Sequence, residues 1–246
     1  MKILVCISQS PDTTSRIAFT DGDTRFDANG VTYIVNPYDE WYALVRALEL
    51  KETLGGEVTT VTVGPAASEQ VIRKALAIGA DDAVRIDAEP TDALQVARWI
   101  ADYARDKGFD LVLAGKETID HNGGMVPGMV AELLDMPYVA SAVALEVTGG
   151  QATVRREAVG GTESLTVALP LVVSAAKGMA EQRIPNMRGI MAARTKPLGT
   201  LAPTAGEPAT LVAKFTLPPA KGACRMVPAD QPEELIRLLR EEAKII

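Results

Sequence analysis

The chain has 246 residues, 47% of them apolar and 23% charged, enough to bury one substantial core as a single α/β domain or a domain with an arm. A formal net charge of −7 excludes nucleic acid as an expected partner, since phosphate backbones recruit basic patches and no Lys/Arg run here approaches one. One histidine and two cysteines far apart in sequence, Cys6 and Cys224, leave no metal-ligand cluster and little scope for Cys/His catalysis.

In chain order, Lys2–Ile7 is a short apolar run suited to a buried strand. No signal-peptide pattern and no bilayer-length apolar stretch is present, so a reducing, cytoplasmic setting without membrane insertion is expected. Pro37–Leu54 places Trp41, Leu44, Val45 and Leu48 at helical spacing, with Asp39 and Glu40 in the first turn. The β-branched run Glu57–Val63 predicts a strand, closed by Gly64-Pro65. Ser68 is expected to cap a helix that runs through Ile78 and stops at Gly79. A strand at Ala83–Ile86, a helix from Thr91 with Ala93, Val96, Ala97, Ile100 and Ala104 on one face, a strand at Leu111–Ala114 and a helix at Met125–Leu134 follow. Alternation at this spacing predicts a Rossmann-like, doubly wound, mostly parallel sheet with helices on both faces.

The pattern then changes. Val143–Val147, Thr153–Ala158, Ser164–Leu169 and Leu171–Ser174 are strand-like, and the pairs Gly149-Gly150 and Gly160-Gly161 suit tight turns of an antiparallel extension. Lys177–Asn186 is loop-like and a short helix is expected to follow, up to Arg194. The proline-rich stretch from Pro197 to Pro232 predicts an extended C-terminal arm, and Glu233–Ala243 closes with Leu235, Leu238 and Leu239 on one helical stripe that needs a surface to cover. The division expected is therefore 1–196, an α/β nucleotide-binding-like domain, and 197–246, an extended arm and a helix that packs on this domain or on another chain, which the resemblance given below implies is a partner subunit.

The strongest local feature is Gly115-Lys116-Glu117-Thr118-Ile119-Asp120-His121-Asn122-Gly123-Gly124, between a predicted strand and a predicted helix. Open α/β sheets bind ligands beyond the carboxyl ends of their strands, where helix N-termini offer free N–H groups to phosphate, and Gly123 and Gly124 would let backbone approach closely. A tight strand-to-helix turn with no ligand reads equally well. Neither GxGxxG nor GxxxxGK[ST] occurs. Asn36-Pro37 opens the second element, where Asn36 as a plain helix cap is a sufficient account. His121 is read as solvated rather than catalytic, and no nucleophile–base pair or paired carboxylates mark a hydrolase; no catalytic residue is expected.

Several segments, in order, resemble the β (small) subunit of electron-transfer flavoproteins. They are Asn36-Pro37-Tyr38-Asp39-Glu40, Gly64-Pro65 with Arg73-Lys74-Ala75-Leu76-Ala77-Ile78-Gly79-Ala80-Asp81, Gly115-Lys116-Glu117-Thr118-Ile119-Asp120, Arg156-Glu157 with Gly160-Gly161-Thr162-Glu163, and Ile184-Pro185-Asn186-Met187. The resemblance implies an electron carrier rather than an enzyme, a heterodimer with an α subunit that holds most of the redox FAD, and a structural AMP in this subunit. It maps cofactor contacts onto Cys6, Asn36, Pro37, Tyr38, Asp39, Val63 and the loop Gly115–Val126, with Tyr38 near the flavin ring. It further implies that Ile184, Pro185 and Asn186, in a loop near 177–190, dock flavin dehydrogenases such as acyl-CoA dehydrogenase. The family's polar Gln and Thr after the loop are Met125 and Val126 here, the flavin-flanking tyrosine is Thr13, and Ile184 replaces a leucine. Two alternatives stand beside this reading: an electron-bifurcating member with a second FAD in place of AMP, and an adenine-nucleotide sensor with no redox role.

Overall fold

The computed structural model describes residues 1–37 and 39–246. Its centre is a nine-stranded sheet. Seven of the strands run parallel: β1 (Lys2–Cys6), β6 (Glu57–Val63), β7 (Asp82–Ile86), β8 (Leu111–Gly115), β9 (Tyr138–Thr148), β12 (Leu171–Ala175) and β13 (Leu198–Leu201). Two more, β10 (Gln151–Ala158) and β11 (Gly161–Ala168), extend one edge as an antiparallel meander, in the order β11-β10-β9-β12-β8-β1-β6-β7-β13. The expected Rossmann-like, doubly wound sheet with an antiparallel extension is what forms.

Strand periodicity sorts the apolar side chains into two cores. Ile3, Val5, Leu111, Leu113, Leu171 and Val173 face one side, where α1 (Asp39–Leu54) and α2 (Glu69–Ile78) pack. Leu4, Cys6, Val61, Val112 and Val172 face the other, under α3 (Ala93–Ala104) and α4 (Val126–Leu134). The chain builds outward from β1 through β6 and β7, then crosses back to place β8 on the other side of β1. Between the carboxyl ends of β1 and β8 the winding direction reverses, leaving a crevice uncovered by either connection.

Several local expectations are corrected. Ser68 does stand at the N-cap position of α2, but it ends a 3-10 turn, Ala66–Ser68, and its buried hydroxyl makes no cap hydrogen bond; the side chain is wedged against Gly64. Helix α3 starts at Ala93, not Thr91. Its cap is Asp92, which accepts the Gln95 N–H at 2.7 Å while Gln95 Oε1 reaches back to the Thr91 N–H at 3.2 Å. Residues between β1 and α1 carry two small antiparallel pairs, β2 (Gln9–Pro11) with β5 (Tyr33–Val35) and β3 (Phe19–Thr20) with β4 (Arg25–Phe26).

The segment after Pro197 begins as β13, paired with β7 from Leu198↔Ala83 to Leu201↔Ile86. It then runs along α3, where Trp99 Nε1 donates to the Thr204 carbonyl at 2.8 Å and Gln95 Nε2 to that of Gly206 at 3.2 Å. Phe215 stacks on Phe19 with ring centroids 4.8 Å apart. Beyond it, α6 (Pro232–Glu241) buries no residue, and Leu235 and Ile236 are about half exposed.

Candidate nucleotide site at the sheet crossover

At the crevice, residues 36–40 clamp the loop that follows β8. Asn36 is fully buried. Its Oδ1 accepts the Ile119 N–H at 3.0 Å and its Nδ2 donates to the Glu117 carbonyl at 3.0 Å. The carboxamide is thus committed to the loop backbone, which corrects the reading of Asn36 as a plain cap. Asp39 Oδ2 accepts the Glu117 N–H at 3.3 Å. Burial raises the Asp39 carboxyl above its ordinary range, Lys116 and the Glu117 N–H oppose that, and the Glu117 charge adds to it.

Gly115, the last residue of β8, is where the clamp needs glycine. A Cβ there would lie 2.8 Å from Glu40 Cγ and 3.0 Å from Glu40 N, a close approach that no side chain permits. The loop then closes on itself, with the Thr118 N–H bonded to the Gly123 carbonyl at 3.0 Å and Asn122 in the left-handed region at φ 50°. Lys116 Nζ is paired with Glu117 at 2.9 Å. His121 is exposed and its Nε2 is 3.9 Å from Asp120 Oδ2.

These elements enclose a cavity of about 200 Å³. Of the residues singled out from sequence, Cys6, Val63, Gly115, Glu117, Thr118, Asp120, His121, Gly123 and Val126 line it. Asn36, Pro37, Asp39, Lys116, Asn122, Gly124 and Met125 lie outside the lining; Asn36 and Asp39 hold the loop from behind, and Met125 is 60% exposed. Tyr38 lies outside the described residues. Burial, then the Glu40 charge, pushes the Cys6 thiol up to about 12, so it is a neutral wall and no nucleophile.

Three polar lining residues were not picked out from the sequence as contacts: Ser8, Gln9 and Glu40. Glu40 is 6% exposed and accepts both the N–H and the hydroxyl of Ser8, each at 2.6 Å. Burial pushes its carboxyl up to about 8, Asp120 and Asp39 add to the shift, and the two Ser8 bonds oppose it. Gln9 Oε1 is buried and has no hydrogen-bond partner among the described residues. Gln9, Asp120 and His121 also line an adjoining cavity of about 590 Å³, walled by Phe19, Phe26, Tyr33, Ile119 and Phe215 and including Thr13. Glu40 was legible in sequence as the second acidic residue of a first turn and the end of the Asn36–Glu40 segment, not as a contact; Gln9 and Ser8 carried no signal.

What the crevice can do follows from this set. It offers backbone N–H groups at the start of α4, apolar walls from Val61, Val63, Val96 and Ile100, and buried acceptors in Gln9 and Glu40. That combination suits a nucleotide. It supplies no nucleophile–base pair, and among the described residues no group of three or more His, Cys, Asp and Glu could hold a metal.

Elsewhere, Ile184 is 81% exposed, in a loop that its neighbour Arg183 ties down. The Arg183 carbonyl accepts Trp41 Nε1–H at 3.2 Å, and its guanidinium grips both Glu52 oxygens at 2.6 and 3.1 Å. Asn186 caps α5 (Met187–Ala193) through the Gly189 N–H at 2.8 Å, and Pro185 lines a groove between α5 and α2. Met187 and Met191 lie exposed beside Ile184 in sequence. No helix among the described residues is long and apolar enough to cross a membrane.

Comparison with known proteins agrees with this architecture. The family model of the electron transfer flavoprotein domain matches residues 23–205. The chain is 38% identical over 260 residues to the electron transfer flavoprotein subunit beta of Bacillus subtilis, covering the whole of both chains. It is 40% identical over 247 residues to that of Syntrophomonas wolfei, covering 99% of this chain and 96% of the relative. Against the human subunit beta it is 35% identical over 209 residues, 82% of each. The chain belongs to the electron transfer flavoprotein family, as a β subunit with an electron-transfer role.

Proposed function

We propose that this β subunit pairs with an α subunit that holds most of a redox FAD, and passes electrons from acyl-CoA-type flavin dehydrogenases to a downstream acceptor in the cytoplasm. In this reading the protein supplies binding, orientation and electrostatics, and the flavin, when bound, supplies the electron chemistry. The crevice between β1 and β8 holds a structural AMP. Its phosphate lies against the N–H groups from Asn122 to Val126, and its sugar or base lies against Gln9 and the apolar walls. The observation that carries this is the convergence of Cys6, Val63 and residues of the Gly115–Val126 loop on one cavity at the winding reversal, with Gln9 also in its lining. Ile184, Pro185 and Asn186 form the dehydrogenase-docking loop, supported by the exposure of Ile184 on an anchored root.

A second reading, FAD in place of AMP, is favoured by one feature. The adjoining cavity shares Gln9, Asp120 and His121 with the first and has aromatic walls of a kind that suits a flavin ring. Coexpression of both subunits, denaturation of the purified heterodimer and chromatographic counting of released nucleotides separates the two. One FAD and one AMP per heterodimer supports the first reading, two FAD and no AMP the second, and one FAD alone removes any nucleotide from this crevice.

A further inference from the structure

Glu40 is a carboxylate facing a cavity that has no lysine or arginine in its described lining; His121 is the one lining side chain there able to carry positive charge. Its charged and titratable surroundings are unfavourable from every side. Asp39 stands beside it on α1, the Asp120 charge acts on it from the loop after β8, Glu117 lines the same cavity, and Cys6 contributes a neutral thiol from β1. Lys116, the nearest lysine of that loop, is already paired with Glu117. A nucleotide phosphate carries a charge of about −1.5 to −2 at neutral pH, and a second anion in the same desolvated site disfavours ionisation of the first.

We propose that binding of a nucleoside monophosphate draws one proton onto Glu40, and that this proton turns the Ser8 hydroxyl from a donor to Glu40 into a donor to the phosphate. The inference rests on the nucleotide reading above. Ser8 Oγ and Glu40 Oε1 lie 2.6 Å apart, and Ser8 also lines the cavity. With Glu40 ionised, the hydroxyl hydrogen points at the carboxylate. With the proton on Oε1, Glu40 donates to Ser8 Oγ, and the hydroxyl hydrogen is free to rotate into the cavity. The Ser8 N–H stays on the second oxygen, Oε2, at 2.6 Å, so the carboxyl keeps its place in both states. Where Glu40 is ionised before binding, one proton enters from solvent per nucleotide bound, and no other bond changes. Below its raised value of about 8 the carboxyl already holds that proton, and above it nucleotide binding draws the proton from solvent.

The test uses the full chain copurified with its α subunit, stripped of nucleotide and titrated with AMP from pH 7 to 9.5, a range in which the phosphate does not change charge. Affinity is expected to fall about tenfold per pH unit above pH 8, and Glu40→Gln to stay within about twofold across the range. His121→Asn is expected to keep the slope, which separates Glu40 from the imidazole. Ser8→Ala is expected to bind several-fold more weakly at pH 7. Titration heats at pH 8.5 in two buffers of different ionisation enthalpy are expected to give close to one proton taken up per AMP. That wild-type measurement decides the matter even if the Gln variant does not fold. AMP bound with a flat wild-type profile and no proton uptake overturns the role of Glu40 and leaves the nucleotide reading standing. No AMP bound at any pH overturns both.

Discussion

Two regions of the molecule handle their side chains in opposite ways. At the crevice, polar groups are spent internally: Asn36 pairs twice with loop backbone, Glu40 is bonded twice by Ser8, and Asp39 takes the Glu117 N–H. At the Ile184 loop, α5 and α6, apolar side chains are left uncovered, with Ile184 at 81%, Met187 at 73% and Leu235 at 47% exposure. The first arrangement fixes a geometry in this chain, and its disruption registers in folding. The second leaves its free energy to be gained on contact with another chain, and its disruption registers in assembly or turnover.

The sharpest way to break that contrast is through pH. Glu40 titrates near 8 when folded and in the ordinary carboxylate range near 4.5 when unfolded. Between those values the folded state holds a proton that the unfolded state has lost. This group's contribution is therefore complete below about pH 4.5 and is lost as pH rises through 8. The whole window spans on the order of 5 kcal/mol at most. Urea unfolding of wild type and Glu40→Gln at several pH values should show the wild type losing stability against the variant as pH rises. Parallel curves would mean that Glu40 is not buried as a neutral acid. Next in size is Gly115→Ala. Its Cβ would meet the Glu40 main-chain nitrogen at 3.0 Å, and the expected loss is about 2–3 kcal/mol in the same assay, with weaker nucleotide retention. A neutral result would show that the 36–40 clamp yields easily.

The sheet was legible because its signals are local and redundant. Glu57–Val63 alternates β-branched residues between two buried faces, and Gly79 ends α2 where a left-handed residue is needed. The crevice was legible only in part. Gly115, Glu117 and Thr118 stand out on a strand-to-helix loop, but Ser8 and Gln9 enter through tertiary placement, since nothing about a Ser-Gln pair after a strand announces that the carboxyl end of β1 meets that of β8. Asn36 misled for the same reason: beside Pro37 it looks like a cap, yet its partners are 81 and 83 residues away. The segment after Pro197 reads as an extended arm with no sheet strand because β13 has only four residues, too few for periodicity to register, and its pairing with β7 is set by the neighbouring edge.

On the uncovered side, the larger effect belongs to α6. Leu235 and Ile236 are each about half exposed, and no residue of the helix is buried in this chain. The double variant Leu235→Ala/Ile236→Ala should leave unfolding of the isolated chain within about 0.5 kcal/mol of wild type. It should weaken association with an α subunit by about 2 kcal/mol, read by sedimentation across concentrations. Unchanged association would place the α subunit elsewhere, and a large folding defect would mean that α6 packs on its own domain after all.

The smallest expected effect is at Ile184, and it separates docking from assembly. The side chain is exposed and contributes little to folding, whereas Arg183 beside it anchors the loop through Trp41 and Glu52. Ile184→Ala should therefore leave the melting temperature, the heterodimer and the flavin spectrum unchanged. It should slow electron transfer from a flavin dehydrogenase by roughly 1–2 kcal/mol, the cost of losing one aliphatic contact buried on docking. The loss should fall on the dependence of rate on dehydrogenase concentration rather than on the rate at saturation, because the side chain reaches the partner and not the flavin. Arg183→Ala is the companion measurement. It frees the loop root while keeping Ile184, so a comparable slowing there would mean that loop position matters as much as the anchor. Equal rates for Ile184→Ala and wild type at every dehydrogenase concentration would remove Ile184 from docking and leave the exposed Met187 and Met191 as the side chains to test.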